Sequence, residues 1–118
     1  MTDLQRNALL EAGVEIDEAL ERCMNNENLY FRCLSKFIED TNYDKLIQAI
    51  ESGDAGTAFE ASHGLKGVCL NLGLSALCIP VSEIVEVFRN GSLDYRPENF
   101  EALKIGYERT INTLKNIL

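Results

Sequence analysis

The chain contains one histidine, His63, and a histidine side chain can act as a nucleophile. Near neutral pH a histidine side chain is mostly uncharged, which leaves one ring nitrogen free to attack an electrophile such as a phosphoryl group. Lys66 follows one helical turn later, where its charge can offset negative charge arriving on the imidazole. Gly64 lies between these two residues and Gly67 follows Lys66, although each glycine costs a helix about 1 kcal/mol relative to alanine. The missing side chain of Gly67 would leave open space beside the imidazole.

The helix that carries His63 is predicted to begin at Asp54, a favoured N-cap, and to end near Leu72. Successive residues of a helix lie about 100° apart around its axis. Measured from Leu65, an apolar stripe lies within about 60°, whereas His63 lies about 160° away and is expected to face solvent. The stripe comprises Ala58, Ala61, Val68, Cys69 and Leu72. On the side of His63 lie Phe59, Glu60, Lys66, Gly67 and Leu70. Phe59 and Leu70 place apolar area on the outside, which suits the docking of a partner.

Further helical segments, separated by short breaks and without strand alternation, must position this helix. The first is predicted from Thr2 or Asp3 to Gly13, and the second, with Asp17 as its candidate N-cap, runs to about Cys23 with Leu20 inward. The third is predicted from Asn26 to Gly53 with a bend or restart at Thr41–Asn42. The fourth runs through Leu77–Phe88 to Asn90–Gly91, and the last begins at Pro97. Pro80 either starts or kinks its helix. The expected fold class is all-α, an antiparallel up-down four-helix bundle with one or two short flanking N-terminal helices.

Composition narrows the possible functions. A length of 118 residues, 46% of them apolar, fits a single domain over residues 1–118 with a buried core. The net charge of −8 would repel nucleic acids and anionic membrane surfaces, so we expect neither as a partner. No apolar run approaches the roughly 20 residues that span a bilayer, and the polar N-terminus lacks a signal peptide. We therefore expect a cytoplasmic protein whose four cysteines are reduced core residues.

The motif around His63 resembles a known family. Residues 63–73 read His-Gly-Leu-Lys-Gly-Val-Cys-Leu-Asn-Leu-Gly, which is similar to the H-x-L-K-G-x-x-x-N-[LI]-G signature of histidine phosphotransfer (HPt) domains. Residues 49–54 resemble the A-L-x-x-G-D that precedes the phosphorylated helix of that family. Residues 13–20 resemble its N-terminal entry, and residues 27–30 resemble the start of its next helix. The resemblance thus extends over most of the chain.

The resemblance implies that His63 is a phosphoacceptor through its outer nitrogen. Lys66 would steady the phosphoryl group and Gly67 would give it room, while docking would involve Phe59, Glu60, Gly64 and Leu70. At Gly64 the family more often has Ser or Thr. The protein would be a monomeric phosphocarrier rather than an enzyme, with no cofactor, ATP or metal site of its own. Its partners would be receiver domains of response regulators or hybrid histidine kinases, which would supply Mg²⁺.

Other interpretations of the sequence remain open. The phosphoryl donor could be a histidine kinase acting in trans, or the bundle could be a docking module that is never phosphorylated.

Glu60 and His63 also form an E-x-x-H sequence of the kind found in di-metal carboxylate bundles, but such sites need two of these motifs pointing inward. No G-x-x-x-x-G-K-[ST] loop for ATP is present. A start at Met1 and an end within a helix at Leu118 favour a free-standing relay protein.

Overall fold

The computed structural model describes residues 1–118. The chain forms seven helices: α1 (Asp3–Glu11), α2 (Ile16–Arg22), α3 (Glu27–Ile38), α4 (Asn42–Glu51), α5 (Ala55–Leu72), α6 (Ser75–Arg89) and α7 (Pro97–Ile117). The only β-type pairing is an isolated bridge between Val14 and Leu74. The all-α class expected from the sequence is therefore confirmed.

Helix α5 packs against both α4 and α6, and α6 packs against α7. Helix α3 contacts α5 and α7, while α1 and α2 contact α7 and α5, respectively. Residues 52–54 and residues 73–74 form the connections on either side of α5, so its neighbours in sequence are also its neighbours in space. One buried apolar cluster draws on all seven helices, and its members include Leu9, Ile16, Tyr30, Leu46, Leu65, Ile84 and Leu103.

The structure corrects the predicted start of α2 and shows how the chain continues at Thr41–Asn42. Helix α2 begins at Ile16 with Glu15 at its N-cap, so the expectation that Asp17 caps it was wrong. Burial of Ile16 and Ala19 sets the inward face of this helix, and Leu20 is only half-buried. The segment after Asn26 restarts rather than bends, because it forms two helices, α3 and α4. Thr41 is the N-cap residue of α4 without a side-chain capping bond, and an Asp40 carboxylate oxygen accepts the N–H of Asn42, the first helical residue, at 2.9 Å.

Pro80 lies inside α6, five residues after the helix begins at Ser75, so it does not start the helix. Without an N–H, Pro80 cannot donate to the carbonyl of Ala76 one turn earlier. That carbonyl oxygen lies against Gly106 of α7, where an added Cβ would come within 3.0 Å of it. The proline and the glycine together therefore allow a close approach of α6 and α7.

None of these helices combines the length and the apolar character that crossing a membrane requires.

Leucine-to-alanine substitutions in α5 test the orientation of this helix. Leu65 is fully buried, whereas Leu70 on the same helix is 48% exposed. We expect Leu65→Ala to lower the free energy of unfolding by about 2–5 kcal/mol, because it empties a packed core position. Leu70→Ala, the matched control, should change it by about 0.5 kcal/mol or less. Urea denaturation followed by circular dichroism measures both, and equal losses would contradict the assigned orientation.

Candidate functional site

The start of α5 is fixed by its N-cap. An Asp54 carboxylate oxygen accepts the Thr57 N–H at 3.0 Å, and the Thr57 hydroxyl donates to the other carboxylate oxygen at 2.6 Å. The side-chain and backbone hydrogen bonds from Thr57 lower the pKa of Asp54. The bond from the Thr57 N–H satisfies one of the free N–H groups of the first turn and marks where the helix begins.

The end of α5 is held by the connection between α1 and α2. Gly73 caps the helix in the left-handed conformation with φ of 73°, which disfavours other residues. A Cβ at Gly73 would lie 2.6 Å from the carbonyl oxygen of Glu15, so only glycine fits there. In return, the Glu15 N–H donates to the Gly73 carbonyl at 2.8 Å. The short N-terminal helices are thereby attached directly to the end of α5.

Two side chains from α2 and α3 satisfy the last carbonyls of α5. The buried Tyr30 hydroxyl donates to the Leu72 carbonyl at 2.9 Å. The Arg22 guanidinium donates to the carbonyls of Leu70 at 2.8 Å and Asn71 at 3.4 Å. A cation at this position also complements the negative end of the helix dipole. These contacts, with the cap at Asp54, restrict the rotation of α5 about its axis.

The two sides of α5 differ in their exposure to solvent. The buried residues are Ala58, Ala61, Ser62, Leu65, Cys69 and Leu72. Val68, which the sequence placed in the core stripe, is only half-buried and lines a groove between α3 and α5 of about 250 Å³. His63 is exposed. We define the His63 face as the exposed Glu60, His63, Gly67 and Leu70 with the half-buried Phe59, Gly64 and Lys66 at its margins.

An aromatic contact orients the His63 ring. The rings of Phe59 and His63 stack with their centroids 5.5 Å apart and an interplanar angle of 29°. The guanidinium of Arg89, from the last turn of α6, lies 4.8 Å from the centre of the Phe59 ring. Arg89 also forms an ion pair with Glu86 at 3.1 Å. The site thus has a cation from α6 in addition to Lys66.

The two glycines of the His63 face have different surroundings. A Cβ added at Gly67 would meet no atom within 4 Å, so the space beside this residue is open. A Cβ at Gly64 would lie 3.0–3.3 Å from the side-chain amide of Asn42 in α4. Gly64 therefore allows α4 to approach α5 closely, and Asn42 occupies the space that a larger residue at position 64 would need.

Some residues near the site were not identified from the sequence. Arg89 and Asn42 reach the margins of the His63 face only because α6 and α4 pack on either side of α5. The groove beside Val68 is lined by α3 and α5 residues, namely Cys33, Lys36, Phe37, Asp40, Val68, Asn71 and Leu72. Contacts between helices carry no periodic signal in the sequence, so no local pattern could have indicated them.

Comparison with protein families identifies the class of protein. The Hpt domain family model matches residues 34–113, which is more than half of the chain; the match begins within α3 and ends within α7. The chain therefore belongs to the Hpt domain family. Hpt domains are helical bundles that act in histidine phosphotransfer in two-component signalling, as phosphocarriers rather than enzymes, and they interact with the receiver domains of response regulators. The comparison with curated proteins found no match, and neither did the comparison with solved structures.

The Asp54 cap should make the stability of the protein depend on pH. Because the folded state lowers the pKa of Asp54, its contribution is present at neutral pH and is lost as the pH falls through the folded-state value. Asp54→Asn can still accept the Thr57 N–H but does not titrate, and it is the matched control. We expect the difference in urea midpoint between the two proteins to shrink from neutral pH to about pH 3. A constant difference would contradict the role assigned to the carboxylate.

The two glycines should respond differently to alanine. Gly67→Ala should raise the free energy of unfolding by about 0.5–1 kcal/mol, because alanine favours a helix interior and meets no neighbour here. Gly64→Ala should gain less or lose stability, since the Asn42 side chain has to move. Urea denaturation of both variants measures this difference. A destabilising Gly67→Ala substitution would show that the space beside Gly67 is not open.

Proposed function

We propose that this protein carries a phosphoryl group on His63 between receiver domains of a two-component phosphorelay. The observation that carries the proposal is the exposed histidine, the only one in the chain, on a helix within the family match. Lys66 lies one turn away and the space beside Gly67 is open. These features suit a nucleophile that receives and then releases a bulky, charged group.

In the proposed transfer this chain contributes a positioned nucleophile, His63, and the positive charge of Lys66. The outer ring nitrogen of His63 attacks the phosphorus atom of an aspartyl phosphate held by the receiver. A nitrogen–phosphorus bond forms, the phosphorus–oxygen bond to the aspartate breaks, and the electron pair returns to the carboxylate. The Lys66 ammonium offsets charge on the phosphoryl oxygens, and the receiver supplies Mg²⁺. No cofactor bound to the phosphocarrier takes part.

The remaining residues of the His63 face have positioning and docking roles in this proposal. Stacking on Phe59 holds the imidazole with one side towards the partner. Leu70 contributes exposed apolar area, and Glu60 contributes a charge at the rim of the docking surface. Gly64 acts indirectly, because its small size determines how closely Asn42 and α4 approach. Arg89 adds a cation next to Phe59.

The proposal also covers the arrangement of the helices, the oligomeric state of the protein and its location in the cell. Helices α3 and α4 together form the first member of an antiparallel up-down four-helix bundle, and α5, α6 and α7 form the others. The whole of residues 1–118 acts as one monomeric domain, which the single core cluster from Leu9 to Leu114 supports. A cytoplasmic location agrees with four unbonded cysteines and the acidic composition. The exposed position of His63 argues against an inward-facing di-metal site.

Phosphotransfer from a receiver domain tests the proposal. A purified receiver carrying labelled phosphate and Mg²⁺ is mixed with the wild-type protein or with His63→Gln. We expect acid-labile label on the wild type alone, while circular dichroism shows both proteins equally folded because His63 is exposed. Lys66→Met should be labelled about tenfold more slowly or worse, since charge stabilisation is lost.

The outcomes separate the possible functions. Label on His63→Gln would refute His63 as the phosphoacceptor. Label on the wild type from a histidine kinase with ATP, but from no receiver, would replace the relay role by that of a kinase substrate. No label from either class of donor would leave a docking module that is not phosphorylated.

A further inference from the structure

A concave site lies outside the His63 face, where residues 90–96 connect α6 to α7. It is a cavity of about 550 Å³ between this connection, the end of α4 and the start of α7. Its lining residues are Ile50, Leu93, Tyr95, Pro97, Phe100 and Glu101, and none of them belongs to the His63 face. Small-molecule sites in proteins have volumes of about 300–1,000 Å³, so this cavity is large enough for a small ligand.

Tyr95 and Phe100 give the cavity two aromatic walls. Their ring centroids lie 5.5 Å apart, and their planes are inclined by 42°. On its other side the Tyr95 ring meets the buried ring of Phe88 nearly edge to face, with the centroids 5.9 Å apart. Aromatic pairs favour such tilted and edge-to-face arrangements. The two walls are therefore held in place by packing within the protein itself.

Hydrogen bonds and a proline hold the connection that carries Leu93 and Tyr95. The Gly91 N–H donates to a carbonyl in the last turn of α6 at 2.9 Å. The Ser92 hydroxyl accepts the N–H of residue 94 at 2.9 Å. Pro97 is the first residue of α7, where its fixed φ suits a helix start. The cavity is thus largely preformed, which lowers the cost of ordering it around a ligand.

The charges at this cavity favour a cation. The one ionisable side chain with a full charge in its lining is the exposed carboxylate of Glu101, which belongs to none of the three ion pairs of the structure. The residues adjacent in sequence to lining positions include three acidic ones, Glu51, Asp94 and Glu98, and one basic one, Arg96. The net charge of the whole chain is −8. An anionic ligand would therefore be repelled, and a cationic one would be attracted.

We propose that this cavity binds a small organic cation of the quaternary ammonium class. Such a cation is attracted electrostatically to aromatic rings, which Tyr95 and Phe100 supply. Its methyl groups suit the apolar part of the lining, and the Glu101 carboxylate supplies the opposite charge. A primary ammonium group is compact and strongly hydrated, so it would lose more solvation on entering the cavity. This binding is separate from phosphotransfer, because it uses no residue of the His63 face.

Titration of the full chain with choline chloride, used as a probe of this chemistry, tests the proposal. The protein is labelled with ¹⁵N, and its amide signals are followed at constant ionic strength as choline is added. The control ligand is the neutral carbon analogue of choline, in which a tert-butyl group replaces the trimethylammonium group. We expect saturable shifts among residues 93–101, and about fivefold weaker binding of the neutral analogue because it lacks the charge. His63→Gln should bind choline as the wild type does, so the result does not depend on phosphotransfer.

Matched variants identify the groups that hold the cation. Phe100→Leu and Glu101→Gln should each weaken choline binding about threefold or more, because each removes one attraction. Phe31→Leu and Glu98→Gln also replace a half-buried aromatic residue and an exposed glutamate, but outside the lining, and should bind choline as the wild type does.

Three results would overturn the proposal. They are equal affinities of the wild type for choline and its neutral analogue, a loss in Glu101→Gln no larger than that in Glu98→Gln, and the absence of saturable shifts among residues 93–101. The comparison of the two ligands uses the wild type alone, so it decides the matter even if a variant folds poorly.

Discussion

The rotational orientation of α5 about its axis determines that His63 faces solvent while Leu65 lies in the core. A helix turned by about 100° would bury His63 or expose Leu65, since successive residues differ by that angle. The orientation is set by apolar burial along one side and by hydrogen bonds at both ends. Asp54 fixes the start of the helix, and the region around Gly73 fixes its end.

Residues that precede the matched family region contribute to the site. Glu15, Arg22 and Tyr30 all donate hydrogen bonds to carbonyls at the end of α5. Unsatisfied carbonyls at a helix terminus are costly when they are partly buried, so these donors stabilise the last turn. Such external support allows α5 to contain Gly64 and Gly67, which a less firmly held helix would tolerate poorly.

Much of this arrangement could be predicted from the sequence. The apolar periodicity around Leu65, together with Asp54 and Gly73, was sufficient to indicate the extent of α5 and its buried apolar residues other than Val68. Local patterns of this kind depend on one helix alone. Val68 was misplaced because its burial depends on how closely α3 approaches, and the angle around α5 does not contain that information. Asp17 was a reasonable cap by residue type, but burial of Ile16 moved the start of α2.

Contacts between helices could not be predicted in the same way. Arg89 over Phe59 and Asn42 over Gly64 both join residues that come together only when the bundle forms. Their side chains give the His63 face part of its charge and its shape. Helix packing, rather than any local motif, therefore supplies the details that distinguish this site from a histidine on an ordinary solvated helix.

Nuclear magnetic resonance of the histidine ring tests whether His63 is the phosphoacceptor, because the chain contains only one histidine and its signals need no further assignment. The protein is labelled with ¹⁵N in histidine and phosphorylated by a receiver domain that carries an aspartyl phosphate. We predict that the outer nitrogen, Nε2, acquires a coupling to ³¹P while the backbone spectrum of the core is preserved. Phosphorylated protein whose ring nitrogens show no coupling to phosphorus would contradict it.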